Sequence, residues 1–351
     1  MIMRGEQNVL EISEPILVTG ASGFIGTRVV RALLDRGYQN VKCQVRSTSN
    51  SARLEEEIRL SRGPMHAQIV HGDLLSRRDC RDLANNVTLI YHLAAGTSTK
   101  AFSDAYLNSV VTTRNLLDAT LELRSLRRFV NVSSFAVYTN RNKPRWRLLD
   151  ETCPVEEHPE TRAEAYCYGK VKQDQLVVEY GEKHSVPWIM LRPGTVYGPG
   201  KKTIPGRVGL GTFGFFLHLG GPNSIPLTYV DNCADAIVMA GLMPGIEGQV
   251  FNIVDDDLPS SRRFLHLYKT NVKKFGSIYL PHAVSYLCCY LWEKYSAWSK
   301  GQLPPVYTRR EWSAYWKKTR YSNRKIKETI GWSPQISTEE GLHRFFESLS
   351  R

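Results

Sequence analysis

The segment EAYCYGK, Glu164–Lys170, sets two tyrosines beside one lysine. On a helix, residues four apart share a face and residues two apart diverge. Tyr166 therefore aligns with Lys170, and Tyr168 points elsewhere. An ammonium next to a phenol favours the phenolate. A group with an unperturbed pKa of about 10 would then serve as acid or base near neutral pH. A surface helix with an ordinary tyrosine and a solvated lysine has the same spacing, so the pair must be judged by its setting.

That setting opens at TGASGFIG, Thr19–Gly26. A buried strand, PILVTG, precedes it and an apolar helix follows. Gly20, Gly23 and Gly26 would allow the tight turn, the approach of backbone to a pyrophosphate and close helix–strand packing. The helix N-terminus adds free N–H groups and positive dipole. Gly20, Gly23, Phe24, Ile25 and Gly26 are accordingly expected to bind a dinucleotide. The cofactor-selecting residue should lie about 20 residues further on, and Arg46 stands there, followed by Ser47, Thr48 and Ser49. An acid would hold the ribose hydroxyls of NAD. Arginine suits a 2′-phosphate, so NADP is the preferred cofactor and NAD the second.

These residues need a frame. Short Val/Ile/Leu-rich runs alternate with helical patterns: VKCQVR, AQIVHGD, LIYHLAA, RFVNVSS, WIMLRPG and GQVFNIV all read as strands. Such alternation predicts an α/β fold, a Rossmann-type doubly wound parallel sheet that binds ligand at the carboxyl ends of its strands. The expected dinucleotide-binding domain spans 14–197 with a return at about 228–254. A smaller, mostly helical substrate-binding lobe is expected over 198–227 and 255–351. Lys201–Pro226 reads as a mobile pocket wall or an irregular connection. Ser277–Trp298 reads as a core or pocket-lining helix, with a helix dipping into a membrane interface as a second reading.

Bulk properties narrow the class. No run of about 18 apolar residues suggests a membrane span, and the N-terminus lacks the apolar core of a signal peptide. The expected location is cytoplasmic. Seven cysteines, without zinc-like pairing, read as free and mostly buried thiols, with no metal. The net charge of +12 collects late, around Arg309–Lys327. No nucleic-acid module accompanies it, so it reads as a solvated basic face.

Taken together, TGASGFIG, Gly72-Asp73-Leu74, HLAA, VSSFAVY, Tyr166-x-x-x-Lys170, LRPGTVYGPG and YVDNCADA resemble an extended short-chain dehydrogenase/reductase, the NAD-dependent epimerase/dehydratase group. The resemblance covers nearly the whole chain. It implies that Asp73 and Leu74 contact the adenine, that Leu93, Ala94 and Ala95 line the cofactor, and that Pro193 to Val196 flank the nicotinamide. It also implies Ser134, rather than Ser133, as the catalytic serine, beside Tyr166 and Lys170. Tyr166 would exchange the proton as hydride passes between nicotinamide and an alcohol carbon. Lys170 would lower the tyrosine pKa and hold the ribose, and Ser134 would donate to the substrate oxygen. Tyr168 is left to packing, and so is His92. Helices near Asp104–Leu123 and Ala163–His184 resemble those that pair two subunits, which implies a homodimer.

The substrate divides the group. Nucleotide-sugar epimerases and dehydratases usually carry an asparagine where this chain has Thr195, and an arginine where it has Ile225. Burying a diphosphate without that cation would be costly, although Lys201, Lys202 or Arg207 would be candidate replacements. Arg46 and the apolar stretches Phe213–Leu219 and Tyr279–Trp292 look more like the 3β-hydroxysteroid dehydrogenase and dihydroflavonol reductase branches. The expectation is an oxidoreductase acting on a small molecule with an apolar scaffold. The alternatives are a nucleotide-sugar epimerase or dehydratase and, more remotely, a non-catalytic dinucleotide-binding regulator.

Overall fold

The computed structural model describes residues 8–62, 67–96, 101–123, 125–212, 214–300, 302–303 and 308–350. The first seven residues and Phe213, both used in reading the sequence, lie outside them. Seven strands form one parallel sheet: β1 (Ile16–Thr19), β2 (Val41–Val45), β3 (Ala67–His71), β4 (Leu89–His92), β5 (Arg128–Val132), β6 (Trp188–Pro193) and β7 (Val250–Ile253). Their spatial order is β7-β6-β5-β4-β1-β2-β3. Ile16 stands opposite Val41 on one side and Leu89 on the other. Ile16, Leu17 and Val18 are all fully buried, which explains why β1 is an unbroken apolar run: both faces are covered by helices. The order reverses between β1 and β4, and a crevice opens there at the strands' carboxyl ends.

The helix after β1, Gly26–Asp35, buries Val29, Val30, Leu33 and Leu34 as one stripe against the sheet. On the opposite layer, a long helix runs from Phe102 to Leu123 and includes a π-helical stretch, Tyr106–Val111. The tyrosine helix, Ala165–His184, packs along it.

The lobe beyond Tyr197 is more regular than the expected irregular connection. Gly209–Thr212 and Phe215–His218 form a hairpin, and Ser277–Tyr279 joins it as a parallel third strand. Aromatic packing holds the lobe, with Phe264, Phe345 and Tyr197 buried together. The apolar run Ser277–Trp298 is not one core helix. Its first residues make the strand, and the helix occupies His282–Trp298 with only Ser285, Cys289 and Ser296 buried. Most of its large apolar residues face outward, contrary to the core expectation, while His282, Ala283, Tyr286, Glu293, Ser296 and Ala297 line a cavity, in keeping with the pocket-lining one. Among the described residues, no helix is long and apolar enough to cross a membrane.

Candidate active site

A cavity of about 590 Å³ lies across the carboxyl ends of β1 to β6. Of the residues singled out in the sequence, Gly20, Gly23, Phe24, Ile25, Gly26, Arg46, Asp73, Leu74, Leu93, Ala94, Ala95, Ser134, Tyr166, Lys170 and Val196 all line it. Pro193 ends β6, buried, and is not among the lining residues, whereas its successors Gly194 and Thr195 are.

The glycine turn has the shape a pyrophosphate needs. Gly20 has φ of +65°, and a Cβ there would come within 3.0 Å of the Ala94 nitrogen. A Cβ on Gly26 would meet the Gly20 carbonyl at 2.2 Å. Side chains are thus excluded by backbone, which lets a ligand approach the turn closely, although the N–H groups of Gly20, Ala21 and Gly23 are themselves bonded within the protein. Gln44, which the sequence reading missed, ties the turn to its neighbours: it accepts from the Gly20 N–H at 3.0 Å and donates to the Gly72 carbonyl at 2.8 Å. Arg46 follows β2 directly, exposed on the cavity rim. These residues fit a dinucleotide.

At the other end of the cavity, Ser134, Tyr166 and Lys170 line one wall, and the Ser134 hydroxyl, which accepts from the Ala136 N–H at 3.1 Å, lies near enough to the Tyr166 phenol to influence its ionisation. Ser133 is otherwise engaged: it donates to the buried carboxylate of Asp174 at 2.7 Å. Asp174 also accepts from Asn131 and pairs with Arg192 at 3.2 Å. Tyr168 is absent from the cavity wall and packs edge-on against Phe102, with ring centroids 5.1 Å apart.

Lys170 is buried and donates to the Val132 carbonyl at 2.7 Å and to Gln173 at 2.8 Å. Gln173 passes the chain to Thr113, which hydrogen-bonds His92 at 2.8 Å. Because the Thr113 hydroxyl donates to the Ser109 carbonyl, His92 must donate through Nε2 and accept from Thr19 through Nδ1. Burial and the Lys170 charge push this imidazole down to about 3. His92 is a neutral structural bridge, as its place in a buried strand implied.

The phenol itself departs from the simple expectation. Burial pushes Tyr166 up to about 12, Ser134 opposes that shift, and the carboxylates of Glu164 and Asp174 add to it. Lys170 is pushed down to about 8 by burial and partly restored by Asp174, and the largest influences on Tyr166 are burial, Ser134 and the two carboxylates. The Lys170 ammonium is spent on Val132 and Gln173. Asp174 and Gln173 are the polar residues one helical turn after Lys170, but Asp174 finds its partners on β5 and β6 and just beyond β5, and Gln173 reaches Thr113 on the neighbouring helix, so neither role shows in the local sequence.

The sheet order, the glycine crevice and the Ser/Tyr/Lys end define a Rossmann-type dinucleotide-binding fold. The chain belongs to the NAD dependent epimerase/dehydratase family, whose model matches residues 16–253. A 2-alkyl-3-oxoalkanoate reductase of Stenotrophomonas maltophilia is 25% identical over 341 residues, covering 94% of this chain and 97% of that protein. A trifunctional UDP-glucose 4,6-dehydratase/UDP-4-keto-6-deoxy-D-glucose 3,5-epimerase/UDP-4-keto-L-rhamnose-reductase of Arabidopsis thaliana is 28% identical over 279 residues. That match takes in 74% of this chain but 39% of the larger protein. A cinnamoyl-CoA reductase of Petunia hybrida is 29% identical over 52% of this chain and 55% of its own. Among solved structures, UDP-glucuronic acid 4-epimerase from Bacillus cereus in complex with NAD superposes with a TM-score of 0.70. It is 20% identical and covered over 98% of its length, against 95% of this chain. The relatives divide between sugar-nucleotide enzymes and reductases, so they resolve the family and not the branch.

Proposed function

We propose that this protein is an NADP(H)-preferring oxidoreductase that moves a hydride between nicotinamide and a secondary alcohol or ketone on a largely apolar substrate. The observation that carries the reading is the gathering of Ser134, Tyr166 and buried Lys170 in the wall of one cavity whose other end is the glycine turn. When bound, the nicotinamide supplies or accepts the hydride. Tyr166 holds the proton that enters or leaves the substrate oxygen, and Ser134 donates to that oxygen as charge grows on it. A phenol held near 12 is well suited to donate. To act as a base, it needs the added positive charge of an oxidised ring nearby.

Two features favour an apolar substrate over a sugar diphosphate. Ile225 is 1% exposed, packed in the aromatic core of the lobe, so no cation can stand there without unpacking it. The guanidinium of Arg207, on the cavity wall, is already engaged: it donates to the Ala314 carbonyl at 2.9 Å and covers the Tyr315 ring. Dehydration would also need a second acid or base, and Asp73, at the proposed adenine end, is the one carboxylate among the described residues lining the cavity. The full-length relative bears the name of a reductase of an oxoalkanoate. Pairing of two copies through the helices Phe102–Leu123 and Ala165–His184 belongs to the same proposal, supported by exposed Phe102 and Leu107 on the first.

The test is a panel of apolar ketones and alcohols with purified protein, following the nicotinamide absorbance. Stoichiometric change with at least one compound is the expected result. Conversion of a nucleotide sugar without net change in nicotinamide would replace the proposal with the epimerase reading. Tight cofactor binding without turnover of any compound would replace it with the regulator.

A further inference from the structure

The helix His282–Trp298 is arranged the wrong way round for a helix on a water-facing surface. Such helices turn their apolar stripe toward the core and their polar side outward. Here the residues buried against the lobe are Ser285, Cys289 and Ser296. Trp312 donates to Ser285 at 2.9 Å, which anchors that inner side. The outer side carries Val284, Leu287, Leu291 and Trp298, the last three exposed by 53%, 56% and 76%. The strand that leads into the helix extends the same surface through Ile278, with Phe215 on the adjoining strand. The helix has one acid, Glu293, and Arg309 neutralises it.

Positive charge surrounds this apolar surface. Lys273, Lys274, Lys294 and Lys300 are exposed along its approach and its end. Beside the helix lies a cavity of about 820 Å³ whose walls include Arg141, Arg145, Lys317 and His282. Arg145 has no carboxylate partner among the described residues. Burial first, and the Arg145 charge after it, hold His282, Lys317 and Lys318 below their ordinary values. The whole chain carries +12.

We propose that the outward side of the helix His282–Trp298, with the exposed strand residues leading into it, docks on an anionic lipid surface. The helix lies flat, its apolar residues entering the acyl boundary and the basic residues around it meeting lipid phosphates. A 17-residue helix is about 25 Å long, enough to lie in the interface and too polar at its inner side to cross. A second copy of the chain is a poorer occupant. A two-fold contact brings each patch against itself, and here that would press one set of unpaired cations onto another.

Co-sedimentation with phosphatidylcholine vesicles, with and without phosphatidylglycerol, tests this independently of any substrate. The full chain should sediment with the anionic vesicles, less so at high salt. The double variant Leu287→Glu/Leu291→Glu should bind them about tenfold more weakly or worse, with NADPH affinity unchanged as the check on folding. Should that variant misfold, Trp298→Ala is the milder replacement and should weaken binding in the same direction. Failure to sediment with either vesicle overturns the proposal, as does binding that neither variant weakens. A concentration-dependent dimer that the variants dissociate, without vesicle binding, assigns the patch to a second copy instead.

Discussion

Replacing Arg46 tests the cofactor reading without knowledge of the substrate. The guanidinium sits on the cavity rim just after β2, exposed, where a 2′-phosphate would be met in the proposed binding mode. A hydrogen bond to a charged group contributes about 1.5–3 kcal/mol net. Solvent exposure argues for the lower figure, and about 1.4 kcal/mol is a tenfold change in affinity. Neighbouring cations are poorly placed to substitute. Arg53 donates to the Pro199 carbonyl at 2.7 Å, and both it and Lys201 lie over the Phe24 ring. Arg46→Ala should therefore weaken NADPH about tenfold and leave NADH nearly unchanged. Arg46→Asp should push the ratio further by repelling the phosphate and accepting from ribose hydroxyls. Calorimetric titration of both cofactors against the three proteins measures this, and raising the salt should narrow the wild-type gap. An NADPH-to-NADH affinity ratio that Arg46→Ala does not change, or tighter NADH binding by the wild type, would refute the reasoning.

Other outcomes follow from the same geometry. Tyr166→Phe should lower turnover by about 10²–10⁴ while cofactor still binds, because only the acid/base hydroxyl is lost; unchanged turnover would remove Tyr166 from the chemistry. In the alcohol-oxidising direction, kcat/KM of the wild type should climb with pH, by up to about tenfold per unit below the phenol's pKa in the cofactor complex, since the phenol must lose its proton. A flat profile would point to another base. Gly26→Ala places a methyl 2.2 Å from the Gly20 carbonyl, and calorimetry should show cofactor binding abolished. Glu311 is pushed up to about 7 by burial and by the Glu164 charge, and one of its oxygens is buried without a hydrogen-bond partner. Its ionisation opposes folding fully above pH 7 and not at all below its ordinary value. Glu311→Gln should thus raise thermal stability at pH 8, by at most about 3 kcal/mol, with the gain vanishing near pH 4; an equal gain at both would show the carboxyl's charge to be irrelevant.

What could be read from the sequence was whatever depends on local pattern. Strands such as Ile16–Thr19 announce themselves because a sheet covered on both faces needs unbroken apolar runs, and the glycine turn because its spacing serves backbone sterics. The Tyr166/Lys170 pair follows from helical geometry alone. Relations across strands were hidden. Asp174 gathers Ser133, Asn131 and Arg192 from two neighbouring strands, and nothing in any one segment reveals that meeting. Gln44 looks like an ordinary strand residue until its amide is seen spanning Gly20 and Gly72. The helix His282–Trp298 reads as a core or pocket-lining element because composition reports how apolar a segment is, not which way its apolar side turns.

The segment between Tyr197 and Leu227 departs and returns at one place: Thr195–Tyr197 pairs residue for residue with Leu227–Tyr229. A ladder at its base makes the excursion a closed loop, insulated from the main sheet. Lengthening such a loop is thermodynamically mild, roughly 0.6 kcal/mol per doubling. Evolution can therefore resize or rewrite this wall of the cavity while β6 and the catalytic end stay in register, so that one hydride-transfer frame is free to serve molecules of very different bulk.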